Sequence, residues 1–338
     1  MKAITLVRHG DAAHAFEIRE ATKPEPAAGQ VQIRVESFGL NFADVLARRG
    51  KYKDAPALPS VLGYEVVGKI ESVAKDVNTL RAGDRVTAFT RFGGYAEYAV
   101  TDARAAAKIP EDMDSGMAAA LATQYGTAWF CAEEMVHLHA GDHVLIHAAA
   151  GGVGTALTQL CKRRGCIVYG TGGSGEKLNY ILANGADYAF NYKTQDFQAE
   201  IQKLNAMGPD VVFDSVGGMT FKKSKMMLSA AGRIVTYGAA EQMDKKNIFG
   251  SLKLLMDFGF TNPVFLLMKS QSIIGVNMLR VADDRPDILQ RCLNNVIDLA
   301  LKKEIHPHIG GRFKTDRIAE AHAFLESRKS TGKIIINW

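Results

Sequence analysis

The chain has 338 residues, 47% of them hydrophobic and 23% charged, with a formal charge of +5. That length accommodates two domains with buried cores, and the composition is that of an ordinary folded protein, which excludes a disordered chain and a strongly polycationic nucleic-acid binder. The cysteines at 131, 161, 166 and 292 form neither a C-x-x-C pair nor a Cys/His group at zinc spacing, so reduced thiols in a cytoplasmic protein are expected.

The chain opens with an apolar strand running into Arg8-His9-Gly10. That entry resembles a histidine phosphatase, whose imidazole accepts phosphate, but such chemistry needs a second histidine, further arginines and a general acid around one anion. The opening reads instead as a strand, a turn over "HGDAAH" and a returning strand "AFEIREA". No secretory signal is expected, since Arg8, His9 and Asp11 break the first dozen residues. Residues 31–42, "VQIRVESFGLNF", alternate Val31, Ile33 and Val35 with polar neighbours, the period of a half-buried strand. "EVVGKIESV", "GDRVTAF" and "GYAEYAV" follow between turn residues and predict a small antiparallel barrel up to about residue 122.

From about residue 143 the pattern becomes strand–helix repeats. "HVLIHAA", "CIVYGTGG", "DYAFNY", "PDVVFDSVGG" and "RIVTYGAA" are each followed by a helical or connecting segment, with "SIIGVNM" as a sixth strand. Continuous apolar strands linked by helices predict a doubly wound parallel sheet covered on both faces. The segment 254–268, "LLMDFGFTNPVFLLM", is too short and too interrupted to span a bilayer; a buried helix–turn–helix, a subunit interface and a membrane-touching patch all fit it. The tail, strand–helix–strand without a glycine fingerprint, is expected to return to the first domain. The expected domains are therefore 1–122 with 304–338, and 123–303. The basic clusters "CKRRG" and "FKKSKMM" read as solvated helix faces. His137, His139, His143 and His147 suggest a metal only on a helix, but "GDHVLIHAA" reads as a strand entering the glycine turn, so the four cannot share a helical face and structural or surface roles are expected.

The densest chemical signal is "VLIHAAAGGVGTALTQ" (144–159). A strand ending near Ala148, a turn of small residues through Ala150, Gly151 and Gly152, and a helix starting near Val153 would bring backbone N–H groups against a pyrophosphate, with Gly154 allowing the helix to close on the strand. At the end of the next strand, Gly173, Ser174 and Lys177 stand where NAD enzymes place a carboxylate on the ribose. A hydroxyl and an ammonium there favour a 2′-phosphate, and hence NADPH.

"GDHVLIHAAAGGVGTALTQLCK" (141–162), with "GLNFADVLARRGKY", "LPSVLGYEVVGKIESV", "FDSVGG", "TYG" and "ESRKSTGKIII", resembles the zinc-free quinone oxidoreductases (zeta-crystallin-like) of the medium-chain dehydrogenase/reductase superfamily, and "SIIGVNMLRV" with "KKEIHPHI" its vesicle amine transport branch. The resemblance implies a GroES-like catalytic barrel plus a Rossmann NADPH-binding domain, and a homodimer. Zinc-dependent relatives carry ligands near Asn41 and at a Gly-His-Glu histidine that is Tyr64 here, so no catalytic metal is expected. The resemblance also implies Tyr52 and Asn41 as catalytic residues, and Asn41, Thr127, Tyr192, Gly217 and Gly238 as cofactor contacts beside the glycine turn. Quinones or conjugated enones are the expected acceptors, because hydride addition to a delocalised system needs less Lewis-acid help than alcohol oxidation. An enoyl-thioester or alkenal reductase on the same scaffold, or a non-catalytic NADPH-binding protein associating with membrane or RNA, are the alternatives.

Overall fold

In the computed structural model, which describes residues 1–240, 258 and 262–338, the chain divides into two compact units. Met1–Thr127 with Met278–Trp338 form the first, and Ala128–Asn277 the second.

The first unit holds two sheets. Lys2–Leu6 pairs antiparallel with Phe16–Glu20, Leu6 opposite Phe16, so Arg8-His9-Gly10 lies in the connection between two strands, as expected. The larger sheet has seven strands and runs Ile309–Lys314, Lys333–Asn337, Gln30–Leu40, Glu65–Val73, Arg85–Phe89 and Ala106–Lys108, with Tyr98–Asp102 also on Gln30–Leu40. Its pairings are antiparallel except for the two tail strands, which run parallel because the helix Ile318–Glu326 carries the chain back between them. Ile33 and Val35 alternate into the core, and a register shift between Val35 and Ser37 changes the parity so that Phe38 and Leu40 join them there with Val66, Ile70, Val86, Ile334 and Ile336.

The second unit is a six-stranded parallel sheet. Its order is Tyr188–Asn191, Ile167–Gly172, His143–Ile146, Val211–Asp214, Arg233–Thr236 and Ser272–Gly275. All six strands predicted from the apolar runs are present, and Leu145, Tyr169, Val212 and Ile234 form the centre of the core. The helix Gly152–Arg163 buries Ala156, Leu157, Leu160 and Cys161 at helical spacing, and ends where Gly165 takes φ +78°.

Two expectations meet differences. Residues 278–303 belong with the first unit, where Leu279 and Leu289 pack in one cluster with Tyr64, Phe89 and Ala105, and Arg280 and Arg91 pair with Asp54 and Asp283. In the segment 254–268, residues 254–257 and 259–261 lie outside the described residues. The rest forms the helix Pro263–Lys269, which buries no residue and exposes Val264, Phe265, Leu267 and Met268, contrary to a buried helix–turn–helix. No helix among the described residues is long and apolar enough to cross a membrane.

Candidate active site

In the second unit the strand His143–Ile146 was laid down first in sequence yet sits in the middle of the sheet, with the chain proceeding outward on either side. Ligands of such sheets bind outside the carboxyl ends of the strands at that reversal. The glycine turn lies there. Ala148 takes φ +52°, Gly151 N–H donates to Ala148 O at 2.9 Å, and the helix begins at Gly152 with Gly151 as its N-cap. A glycine N-cap has no side chain to satisfy the first-turn amides, which leaves them for an acceptor from outside the chain. Gly154 does what the sequence requires of it, since a Cβ there would overlap Ala148 O and stand 2.7 Å from Ala149 Cα.

The adjacent strand ends beside this turn. Gly173, Ser174, Lys177 and Tyr192 gather there: a Cβ on Gly173 would lie 2.7 Å from the Tyr192 hydroxyl, and Ser174 caps the helix Gly175–Ala183 by accepting from Lys177 N–H at 3.4 Å. Glu176, the one carboxylate of that turn, is exposed. On the other side Gly217 (φ +79°) and Gly238 follow the ends of the next two strands, and a Cβ on Gly238 would stand 2.8 Å from Ser215 O. The second-unit residues singled out from the sequence therefore fall at one edge of one sheet. The residues fit a phosphate-bearing dinucleotide: first-turn helix amides with no side-chain cap, backbone that approaches closely, and a serine and a lysine following the adjacent strand.

His147 is a residue whose role the sequence reading undervalued. It is buried; its Nδ1 meets Thr171 Oγ1 at 3.1 Å and its Nε2 meets Ser224 Oγ at 2.8 Å, while Ala148 N–H also reaches Thr171 Oγ1 at 3.3 Å. Burial pushes its pKa down to about 3, so it is a neutral brace under the turn. The other three histidines do not join it: His143 bonds Tyr169 at 2.7 Å, and His137 and His139 are exposed. Among the described residues no group of three His, Cys, Asp or Glu is placed to hold a metal.

In the first unit Asn41 precedes the helix Phe42–Arg48, its backbone N–H donating to Asp44 Oδ2 at 2.8 Å. Its amide Nδ2 donates to Glu65 Oε1 and Oε2 at 2.9 and 2.8 Å, and its Oδ1 accepts from Lys333 Nζ at 3.2 Å. Asp44 is fully buried, and desolvation, aided by the nearby Glu65 charge, pushes its pKa up to about 7 although two backbone N–H bonds and Lys333 act the other way. Tyr52 is half-buried and stands edge-on to Tyr64, ring centroids 6.2 Å apart. The two phenols are close enough to perturb one another, yet Tyr64 Oη is buried without a hydrogen-bond partner of good geometry. Burial raises the Tyr52 pKa, with the Asp54 charge adding to it, so the phenol is a proton carrier at neutral pH. Thr127 is buried at the end of this unit's first segment. Glu65 and Lys333 were not singled out from the sequence, because one charged residue in a strand pattern gives no sign of burial. Arg8, His9, Asp11 and His14 line a surface depression of about 380 Å³. Arg8 Nε there donates to His14 O at 2.7 Å and Asp11 caps Ala13, roles of a braced turn.

A sheet in this order with a glycine turn at its reversal point, in a chain that also holds a strand-rich unit built from both of its ends, is the pattern of the medium-chain dehydrogenase/reductase class. Residues 27–111 match the alcohol dehydrogenase GroES-like domain and residues 152–294 the zinc-binding dehydrogenase domain. The chain is 32% identical to mouse quinone oxidoreductase-like protein 2 over 98% of its own length and 93% of that protein. It is 33% identical to the zebrafish synaptic vesicle membrane protein VAT-1 homolog, over 93% of this chain but 65% of that relative's length. The structure of Escherichia coli quinone oxidoreductase complexed with NADPH superposes with a TM-score of 0.87 at 26% identity, covering all of both chains. The chain belongs to the zinc-free quinone oxidoreductase family of that superfamily.

Proposed function

We propose that this protein uses NADPH to reduce quinones or related conjugated enones. Within the family it is an oxidoreductase, and the finer reading is supported by one observation: the strand next to the glycine turn is followed by Gly173, packed against the Tyr192 hydroxyl, then Ser174 and Lys177, and Glu176, the carboxylate of that turn, is exposed. The first-turn amides of Gly152–Arg163 would hold the pyrophosphate, and Ser174, Lys177 and Tyr192 the 2′-phosphate. NADPH bound there supplies a hydride. The protein's own contribution is on the acceptor side: Asn41 Nδ2–H donates to the oxygen that gains negative charge, and Tyr52, kept protonated by burial, delivers a proton to it. Thr127, Gly217 and Gly238 complete the cofactor contacts. The domain of 1–122 with the tail is then the catalytic one and the parallel sheet the NADPH-binding one. The protein works in a reducing, cytoplasmic setting, consistent with four buried cysteines outside any disulfide, and as a homodimer through the sheet edge at Ser272–Gly275.

The test is NADPH and NADH consumption by purified protein with a benzoquinone, an enal and a crotonyl thioester in turn. Turnover of quinone with NADPH but not NADH is the expected result. Turnover of the thioester alone would replace quinone by the enoyl-thioester reading, and tight NADPH binding without turnover of any acceptor would leave a cofactor-binding protein that is not a reductase.

A further inference from the structure

Lys333 is a lysine with no exposed surface, in the last strand of the chain. Its ammonium has three hydrogens and meets three acceptors: it forms an ion pair with Glu65 Oε1, and donates to Leu40 O at 3.3 Å and Asn41 Oδ1 at 3.2 Å. Glu65 is equally buried, and its two oxygens also receive Asn41 Nδ2–H. The space for this pair exists because residue 39 is glycine. A Cβ there would overlap both Lys333 Cε and Glu65 Oε1.

A buried ion pair is a costly way to hold a fold together, and apolar side chains of similar volume commonly do as well or better. What this one does that apolar groups cannot is distinguish the two ends of an amide. Asn41 has its oxygen against an ammonium and its nitrogen against a carboxylate; a flip would reverse both contacts. The two oxygens of one carboxylate lie in nearly the same direction from Nδ2, at 2.9 and 2.8 Å, whereas its two hydrogens diverge widely, so one hydrogen can serve both oxygens and the other can serve a further acceptor. Lys333 and Glu65 themselves have no exposed surface through which to touch a substrate.

We propose that Lys333 and Glu65 are positioning residues whose buried ion pair, seated over Gly39, locks the Asn41 amide with one N–H presented to the acceptor's developing oxyanion. This rests on the reductase reading above. Lys333 then acts only through Asn41.

The experiment compares Lys333→Met, Glu65→Gln/Lys333→Met, Asn41→Ala and Asn41→Ala/Lys333→Met for quinone turnover, NADPH affinity by fluorescence titration, and thermal stability. Lys333→Met strands a buried carboxylate; the Glu65→Gln/Lys333→Met pair removes that charge but offers Asn41 a partner amide that accepts either of its orientations. The expected result is that stability returns in Glu65→Gln/Lys333→Met while kcat stays down by about tenfold or more, a loss larger than any fall in NADPH affinity. Asn41→Ala/Lys333→Met should be no slower than Asn41→Ala alone, since a residue acting through Asn41 has nothing left to act on. If kcat returns together with stability in Glu65→Gln/Lys333→Met, or if the losses from Asn41→Ala and Lys333→Met multiply, the positioning role is overturned. Should Lys333→Met fail to fold, the charge-neutral double variant carries the same test. A wild-type protein that turns over no acceptor sinks the reductase reading and this role with it; an active wild type with a fully active Glu65→Gln/Lys333→Met sinks this role alone.

Discussion

Gly154→Ala adds one carbon to a place where only backbone surrounds it. The new Cβ would overlap Ala148 O and stand 2.7 and 2.9 Å from Ala149 Cα and C. No side chain can rotate aside, so the helix Gly152–Arg163 must move off the strand by about 1 Å, at about 1–3 kcal/mol of overpacking strain. The same movement withdraws the first-turn amides from the anion they would hold. Losing one hydrogen bond to a charged group costs about 1.5–3 kcal/mol, or roughly ten- to a hundredfold in affinity. Gly151→Ala is the internal comparison, since its Cβ would meet Ala148 O at 3.2 Å, a contact that a few tenths of an ångström relieves. NADPH titration by fluorescence, with a thermal melt on each protein, should rank Gly154→Ala well below Gly151→Ala and wild type in affinity. A Gly154→Ala protein that binds NADPH like wild type would refute the claim that close backbone approach at this residue builds the site.

Three further outcomes are expected. Lys177→Ala should weaken NADPH by about tenfold and leave NADH nearly unchanged, measured by titration of both; equal weakening would remove its 2′-phosphate role. Tyr52→Phe should lower kcat by about a hundredfold with little change in acceptor KM, and because burial raises this phenol's pKa, wild-type kcat should hold across neutral pH and fall only on the alkaline side. His147 is held near pKa 3 against 6.5 when exposed, so the unfolded chain takes up its proton first and stability is lost as pH falls below 6.5. From pH 6.5 to 5 that amounts to about 2 kcal/mol, a slope that urea denaturation should find reduced by that amount in His147→Asn.

The two patterns of the sequence translated directly into structure because their information is local. Val31, Ile33 and Val35 alternate since a strand buries every second side chain, and 144–159 spells strand, turn and helix within sixteen consecutive residues. That the glycine turn, Gly173, Ser174, Gly217 and Gly238 lie at one edge was legible for the same reason: in a parallel sheet, residues following strand ends collect at one edge once the strand order is set. The tail's return to the first unit was also visible, from its lack of a glycine turn. Residues 278–303 were not, since an amphipathic helix shows how much of it is buried but not against which partner.

The acceptor side depended on tertiary structure. Asn41 and Tyr52 were found by resemblance, whereas Glu65 and Lys333, which fix the Asn41 side-chain amide, carry no local mark: Lys333 meets Glu65 across 268 positions of sequence and Asn41 across 292. Arg48 is similar, a fully buried guanidinium paired with Glu326 from the far end of the chain. A charged residue inside an apolar run reads equally well as an exposed edge or a buried partner. Desolvation makes the second possible only when an opposite charge arrives from elsewhere, and that arrival is decided by the fold.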